Sequence, residues 1–170
     1  MLELDLVQLQ REGRVALEGE IPSADPLWEK DEVRLTEPVR VRLQAQQVGA
    51  DVLVRGHITT ALELPCRRCL EPVVLRLDEP VTFLFRHGVA DWEAVQEEAY
   101  PLPERAQELD LRQPVREHLL LARPQFALCA EQCQGLCPHC GANWNQGRCE
   151  CRVEEQDERW APLRRLLNRE

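Results

Sequence analysis

Aromatic residues make up only 5% of this 170-residue chain, so a folded core has to be built mainly from valine, leucine and alanine. Lysine is scarcer still, with Lys30 alone against twenty arginines. No run of residues approaches the roughly 20 apolar positions that span a bilayer. The opening stretch, Met1 to Val7, alternates apolar and acidic side chains and lacks the basic and then continuously apolar segments of a secretory signal. Also missing are the P-loop, G-x-G-x-x-G, G-x-S-x-G and H-E-x-x-H patterns that mark common nucleotide-binding and hydrolytic sites. These absences argue against a membrane protein and a chain exported through a standard signal. They leave nothing that argues for an enzyme or a small-molecule substrate, and the expectation is a cytoplasmic protein. Hydrophobic residues at 44% and charged residues at 30% are the mix of an ordinary globular domain with room for a small appendage.

Positive charge is in deficit too. The formal net charge is -9, unusual for a nucleic-acid binder judged on the total. The distribution is uneven. Residues 91–110 hold seven acidic residues and one arginine, whereas residues 39–76 hold six arginines and three acids. Arg40, Arg42, Arg55, Arg67 and Arg68 are therefore the candidate phosphate contacts, since a guanidinium offers a planar fork to a phosphate. The simpler reading of Arg40, Arg42 and Arg55 is that they solvate the outer face of a sheet, where charged residues normally lie.

What the chain has in quantity is alternation and cysteine. Val39, Val41 and Leu43 alternate with Arg40, Arg42 and Gln44, and a turn at Val48-Gly49-Ala50-Asp51 leads into a returning strand that runs towards Leu64. A third strand starts at Pro72 and runs to Leu77, followed by Val81 to Phe85. Residues 1–20 read as two short strands around Arg11-Glu12-Gly13, and residues 21–38, with three prolines, as loop. From Asp110 the period becomes helical, with Asp110 as a cap, Pro114 in the first turn, Val115, Leu119 and Ala122 on one face, Leu120 and Leu121 widening it, and Pro124 as the stop. A final helix is expected over 157–168, with Trp160, Leu163, Leu166 and Leu167 on one side. The expected fold is α+β: mainly an antiparallel β meander or partial barrel with a C-terminal helical, cysteine-rich, zinc-binding region. The expected organisation is a β domain over 1–90, an acidic linker or excursion over 91–109, and a helix, cysteine-rich segment and C-terminal helix over 110–170.

The eight cysteines are Cys66, Cys69, Cys129, Cys133, Cys137, Cys140, Cys149 and Cys151. Their close spacings favour chelation over a disulfide framework, because neighbouring thiolates converge easily on one ion and zinc takes four of them in a tetrahedron. Cys137-Pro138-His139-Cys140-Gly141 has the form of a zinc knuckle, with a glycine free to take the backbone conformation the turn needs. Two groupings fit the sequence. One joins Cys137 and Cys140 to Cys149 and Cys151, leaving Cys66 and Cys69 for Cys129 and Cys133. The other joins Cys129 and Cys133 to Cys137 and Cys140, leaving Cys66 and Cys69 for Cys149 and Cys151. The first is preferred for its more compact central loop, and both stay open. Either gives one or two structural Zn²⁺ ions, since four-thiolate sites leave no position for a reacting water. Cys66-x-x-Cys69 is flanked by strands and a proline, not by the helix start a thioredoxin-like redox pair requires. The histidines His57, His87, His118 and His139 show no paired ligand spacing.

Three blocks resemble the YceD-like family of bacterial proteins, also called large ribosomal RNA subunit accumulation proteins. They are Leu64-Pro65-Cys66-Arg67-Arg68-Cys69-Leu70, then Leu109-Asp110-Leu111 through Pro114-Val115-Arg116-Glu117 and Leu119-Leu120-Leu121 to Pro124, and then Leu128 to Cys151 with the closing Asp157 to Leu163. The resemblance implies a cytosolic, non-enzymatic factor in 23S rRNA synthesis or processing and large-subunit assembly. Its partner would be precursor rRNA or a ribosomal or RNA-processing protein. The alternative is a zinc-stapled acidic adaptor that binds a basic protein through residues 91–110 without touching RNA.

Overall fold

Alternating side chains build most of the molecule. The computed structural model describes residues 2–29, 31, 33–88 and 99–151. Its elements follow the order β1 (Glu3–Asp5), α1 (Leu6–Glu12), β2 (Arg14–Ile21), a 3-10 turn at Pro26–Trp28, β3 (Arg34–Leu35), β4 (Val39–Val48), β5 (Asp51–Pro65), β6 (Pro72–Arg86), β7 (Ala99–Pro101), β8 (Glu108–Asp110) and α2 (Arg112–Ala122). In β4, Val39, Val41, Leu43 and Ala45 are buried while Arg40, Arg42, Gln44 and Gln46 face out, the two-residue period of a strand with one face in the core.

The main sheet has the order β2-β4-β5-β6-β7, with β3 attached to β5. Its long neighbours are antiparallel, as in Leu43 opposite Gly56 and Gly56 opposite Val81, and β7 joins β6 in parallel at Leu84 to Arg86. The path among the described residues ends at β2 and β7, so the fold is an open α+β sheet rather than a closed barrel. The second ladder, β1 with β8, sets Leu4 opposite Leu109. It brings Leu2, Leu4, Leu9, Leu111, Val115 and Leu119 into one core with the inner sheet residues Val54, Ile58, Phe83 and Phe85. The loop before β3 is fastened to α2 by Arg116, whose guanidinium donates to both Asp31 carboxylate oxygens, at 2.7 and 2.5 Å.

Three local expectations need correction. Residues 6–12 form a helix, not a strand. Asp5 accepts from the Gln8 amide at 2.8 Å as N-cap, and Gly13 closes the other end at φ 72° with its amide on the Leu9 carbonyl. These caps, with Leu6 and Leu9 three residues apart on the buried side, prevail over the alternation of Leu2, Leu4 and Leu6. The two pieces read at 72–77 and 81–85 are one continuous strand. Pro80 is tolerated there because β6 has no ladder partner on its outer side before Leu84 among the described residues. In α2, Leu121 is exposed, and the buried face is Pro114, Val115 and Leu119. Arg123, before Pro124, has already turned to an extended ψ of 124°. The helix expected over 157–168 lies outside the described residues.

Gly56 sits where three strands meet, and a Cβ there would lie 2.0 Å from the backbone carbonyl oxygen of Arg42 in β4. No side-chain rotation relieves that contact. Gly56→Ala is expected to lower stability by about 2–3 kcal/mol through a forced backbone shift. Gly49→Ala, at φ 63° in open space, should cost only about 1 kcal/mol of left-handed strain. Urea midpoints of the two variants against the native chain measure the difference.

Candidate metal centres

The β5–β6 hairpin ends in a tight turn, and the turn is made of cysteine. Cys66 and Cys69 stand at its two sides, both buried. The segment after α2 returns to this turn. Cys66 forms a parallel bridge with Ala127, and the Arg67 amide donates to the Ala127 carbonyl at 2.8 Å. That contact delivers Cys129 and Cys133. The Cys66 and Cys133 sulfurs are 3.8 Å apart and those of Cys69 and Cys129 are 3.6 Å apart. A tetrahedral ion with metal–sulfur bonds of about 2.3 Å requires sulfurs about 3.8 Å from one another, so these spacings match a metal site and exceed an S–S bond.

Cys137, Cys140, Cys149 and Cys151 form a second group. In each group the four sulfurs lie within 4.8 Å of one another. The structure therefore brings the sulfurs together in the grouping with the compact central loop. Both clusters have the geometry and donor set to hold a metal ion, with four sulfurs each and no further protein ligand to either among the described residues.

Crowding divides the thiols by acidity. The Cys66 thiol is pulled down to about 6, first by the Cys69 backbone amide and against the effect of burial. Cys129 is pushed up to about 12 by the neighbouring Cys133 and Cys69 sulfurs. In the second cluster the Trp144 indole N–H and then the Cys151 amide bring Cys149 down to about 6, while Cys140 and Cys149 drive Cys151 up to about 12. Each cluster thus sets a thiol that ionises readily beside one that holds its proton more tightly than usual. A divalent cation removes that conflict by displacing the protons.

Several supporting groups carry no signal in the cysteine spacing. Asn145 Nδ2 donates to Cys133 Sγ at 3.3 Å and holds that thiol low, while its Oδ1 accepts from the Gln134 amide at 2.8 Å. Asn145 therefore links the two clusters. Asn143 reaches Glu71 beside the first turn at 3.4 Å. The Asn143-x-Asn145 pair in a turn-rich loop was the available clue. The Cys129 amide points at Cys66 Sγ and the His139 amide at Cys137 Sγ, both at 3.4 Å, offsetting negative charge on sulfur.

The five candidate arginines do not share one surface role. Arg40 lies 3.7 Å from both Glu20 and Glu37, and Arg42 lies 3.9 Å from Glu18 across the β2–β4 pair. Arg55, exposed on β5, has no ion pair among the described residues. Beyond the far end of β5, Arg67 lies over the ring of exposed Phe126, 3.8 Å from its centroid. Arg68 Nη1 donates to the Glu131 and Cys133 carbonyls at 3.2 and 3.0 Å, which makes it a clamp on the first cluster. An arginine missed from sequence, Arg148, lies 5.9 Å over Trp144 beside the second cluster. No helix among the described residues is long and apolar enough to cross a membrane.

The family description that matches the chain, over residues 54–167, is "Large ribosomal RNA subunit accumulation protein YceD". An uncharacterized protein of Mycobacterium tuberculosis is 32% identical over 128 residues, covering 75% of this chain and 61% of that protein. A large ribosomal RNA subunit accumulation protein YCED homolog of Arabidopsis thaliana, chloroplastic, is 26% identical over 155 residues, covering 76% of this chain and 48% of that protein. The uncharacterized protein YlbN of Bacillus subtilis is 27% identical over 146 residues, covering 82% and 80%. The match thus spans less than two thirds of the mycobacterial relative and about half of the plant one. No solved structure matches the chain.

Two separate four-sulfur clusters set a stoichiometry. Cobalt(II) added to the reduced, metal-free chain is expected to give the intense sulfur-to-metal charge-transfer absorption of tetrahedral thiolate sites, saturating at two equivalents. Cys133→Ser and Cys149→Ser should each abolish one equivalent, and the double variant both. Saturation at one equivalent in the native chain would contradict the grouping.

Proposed function

Because the chain belongs to the YceD family of large ribosomal RNA subunit accumulation proteins, we propose that it is a non-enzymatic, zinc-stapled factor. It supports accumulation of 23S rRNA during assembly of the large ribosomal subunit, in contact with precursor rRNA. The observation that carries the non-enzymatic part is the closed donor set. Each cluster is completed by four thiolates, which suits structural zinc and leaves no coordination position for substrate or water. Zinc bound there would offset half of the charge on the four crowded sulfurs and lock the segment after α2 onto the β5–β6 turn. The chain's own residues do the rest: the turn positions Arg67 and Phe126, and the second cluster positions Arg148 and Trp144. An arginine over a ring that is exposed, as Phe126 is, or half-buried, as Trp144 is, supplies both a phosphate contact and a stacking face for an unpaired base.

Arg40, Arg42 and Arg55 extend the proposed RNA contact onto the sheet. The ion pairs of Arg40 and Arg42 are no obstacle in energy, since exposed pairs of this kind contribute roughly 0–1 kcal/mol. Their acids are an obstacle in charge, because Glu18 and Glu20 repel an approaching phosphate. That observation favours a second reading, in which the chain is an acidic adaptor for a basic protein of the assembling particle.

Affinity for a large-subunit rRNA fragment, measured by fluorescence anisotropy over a salt series, separates the two. Under direct RNA binding, Arg55→Ala lowers the magnitude of the log–log salt slope by about one. Glu18→Gln with Glu20→Gln should then tighten binding. Affinity absent at low salt, or unchanged by these substitutions, leaves the adaptor.

A further inference from the structure

The two Cys-x-x-Cys turns are the same turn built from different residues. In the second, the Gly141 amide donates to the Cys137 carbonyl at 2.9 Å and the Cys137 amide to the Ala142 carbonyl at 2.9 Å, with Gly141 at φ 73°. In the first, the Leu70 amide donates to the Cys66 carbonyl at 2.9 Å and the Cys66 amide to the Glu71 carbonyl at 2.8 Å, with Leu70 at φ 61°. The left-handed conformation is open to glycine and sterically unfavourable for any residue with a Cβ. Leu70 is the one non-glycine residue at positive φ among the described residues. A Cβ at Gly141 would have open space around it, so room does not explain the choice of residue.

The fold does not compensate Leu70 for this strain. Its side chain is 64% exposed and lies outside both buried clusters. It lines, with Val33, Leu64, Pro65 and Pro72, a groove of about 500 Å³. Strain held at an exposed apolar side chain points to use by a partner.

Charge decides which partner. The two acids lining the groove are Asp31 and Glu63, bonded to Arg116 and Arg34. The cations of the turn, Arg67 over Phe126 and Arg68 on two carbonyls, keep their charge, since neither partner carries a negative one. Against them stand Glu71, which adjoins Leu70, and the first cluster, where four thiolates around a divalent ion would carry two negative charges, so the turn is net negative when that site is filled. The whole chain carries -9. Among the described residues a nucleic acid meets a net negative charge beside this groove, whereas a basic protein is attracted by the field and meets an apolar surface. We propose that Leu70 and the groove beside it form a docking site for a segment of a basic protein that inserts an aliphatic or aromatic side chain. This deepens the adaptor reading but rests on geometry which that reading does not use.

The test uses the full, metal-loaded chain on an array of random twelve-residue peptides of known sequence. Selected peptides are expected to carry Leu, Ile or Phe flanked by Lys or Arg, and to lose at least tenfold in affinity for Leu70→Gly. That variant should also melt at a higher temperature than the native chain, because glycine relieves the turn. Leu70→Ala should lose affinity without the gain. The proposal is overturned if no peptide is selected, if the selected peptides lack basic residues, or if they bind Leu70→Gly as tightly as the native chain. A lower melting temperature for Leu70→Gly, or a single-stranded RNA oligonucleotide that displaces the peptides by shifting the Leu70 methyl resonances, also overturns it. Failure of the assembly role would show separately, as normal 23S rRNA levels in cells lacking the chain.

Discussion

Thiolate sulfurs repel one another, and this chain places four of them within 4.8 Å twice over. The arrangement holds only if something positive sits among the sulfurs: protons shared unequally, or a cation. The split between Cys66 at about 6 and Cys129 at about 12 is the apo form of that conflict, and a divalent ion is its resolution. Much follows from it. Residues 129 and 133 come from beyond α2 and have no strand of their own, so the first cluster is a principal fastening of the C-terminal part of the described chain onto the sheet. Arg68 and the Cys66–Ala127 bridge support that junction but do not replace it.

The sheet's contribution is to present the first turn rigidly. β5 and β6 pair from Val52 opposite Phe85 to Pro65 opposite Pro72, so the turn stands at the end of a long two-stranded lever whose base is held by the core. Gly56 lets β4 approach β5 closely at the middle of that lever. The outer edge of β6 is interrupted by Pro72 and Pro80, which cannot donate to an added strand, and carries Arg76, Asp78 and Glu79 between them. Edges defended in this way resist pairing with another sheet.

The parts legible in the sequence were those set by local chemistry. The β4–β5 hairpin was readable because alternation is strict and Gly49 supplies the left-handed turn residue. The cysteine pairs were readable because ligand spacing is a local property, and the α+β class followed from the switch in period at Asp110. What escaped depends on distant register. That Arg42 meets Glu18 follows from β2 pairing with β4, and no local pattern reports that pairing. Phe126 under Arg67 depends on the segment after α2 returning to the turn. The helix at 6–12 was lost to an ambiguous leucine alternation, although its capping residues Asp5 and Gly13 were in plain view.

The same register argument bears on the proposed RNA contact of a chain whose net charge is -9. A four-thiolate zinc site carries two negative charges, so the turn end, with Arg67, Arg68 and Arg148 against Glu71, Glu131 and Glu150, is anionic when both sites are filled. Over the outer face of β2 and β4, Glu18 and Glu20 cancel Arg42 and Arg40. Under the proposed RNA contact, phosphate affinity rests on guanidiniums with no carboxylate partner among the described residues, Arg55 and Arg67 foremost, helped by stacking on Phe126 and Trp144. Binding built that way is weak on its own and selective for unpaired bases. With both sites filled, the anionic turn end would attract a basic protein instead, the partner proposed for the groove beside Leu70. The two proposed contacts are compatible on this charge distribution: a protein partner would supply residence, and the sparse arginines and rings a local grip on RNA already held nearby.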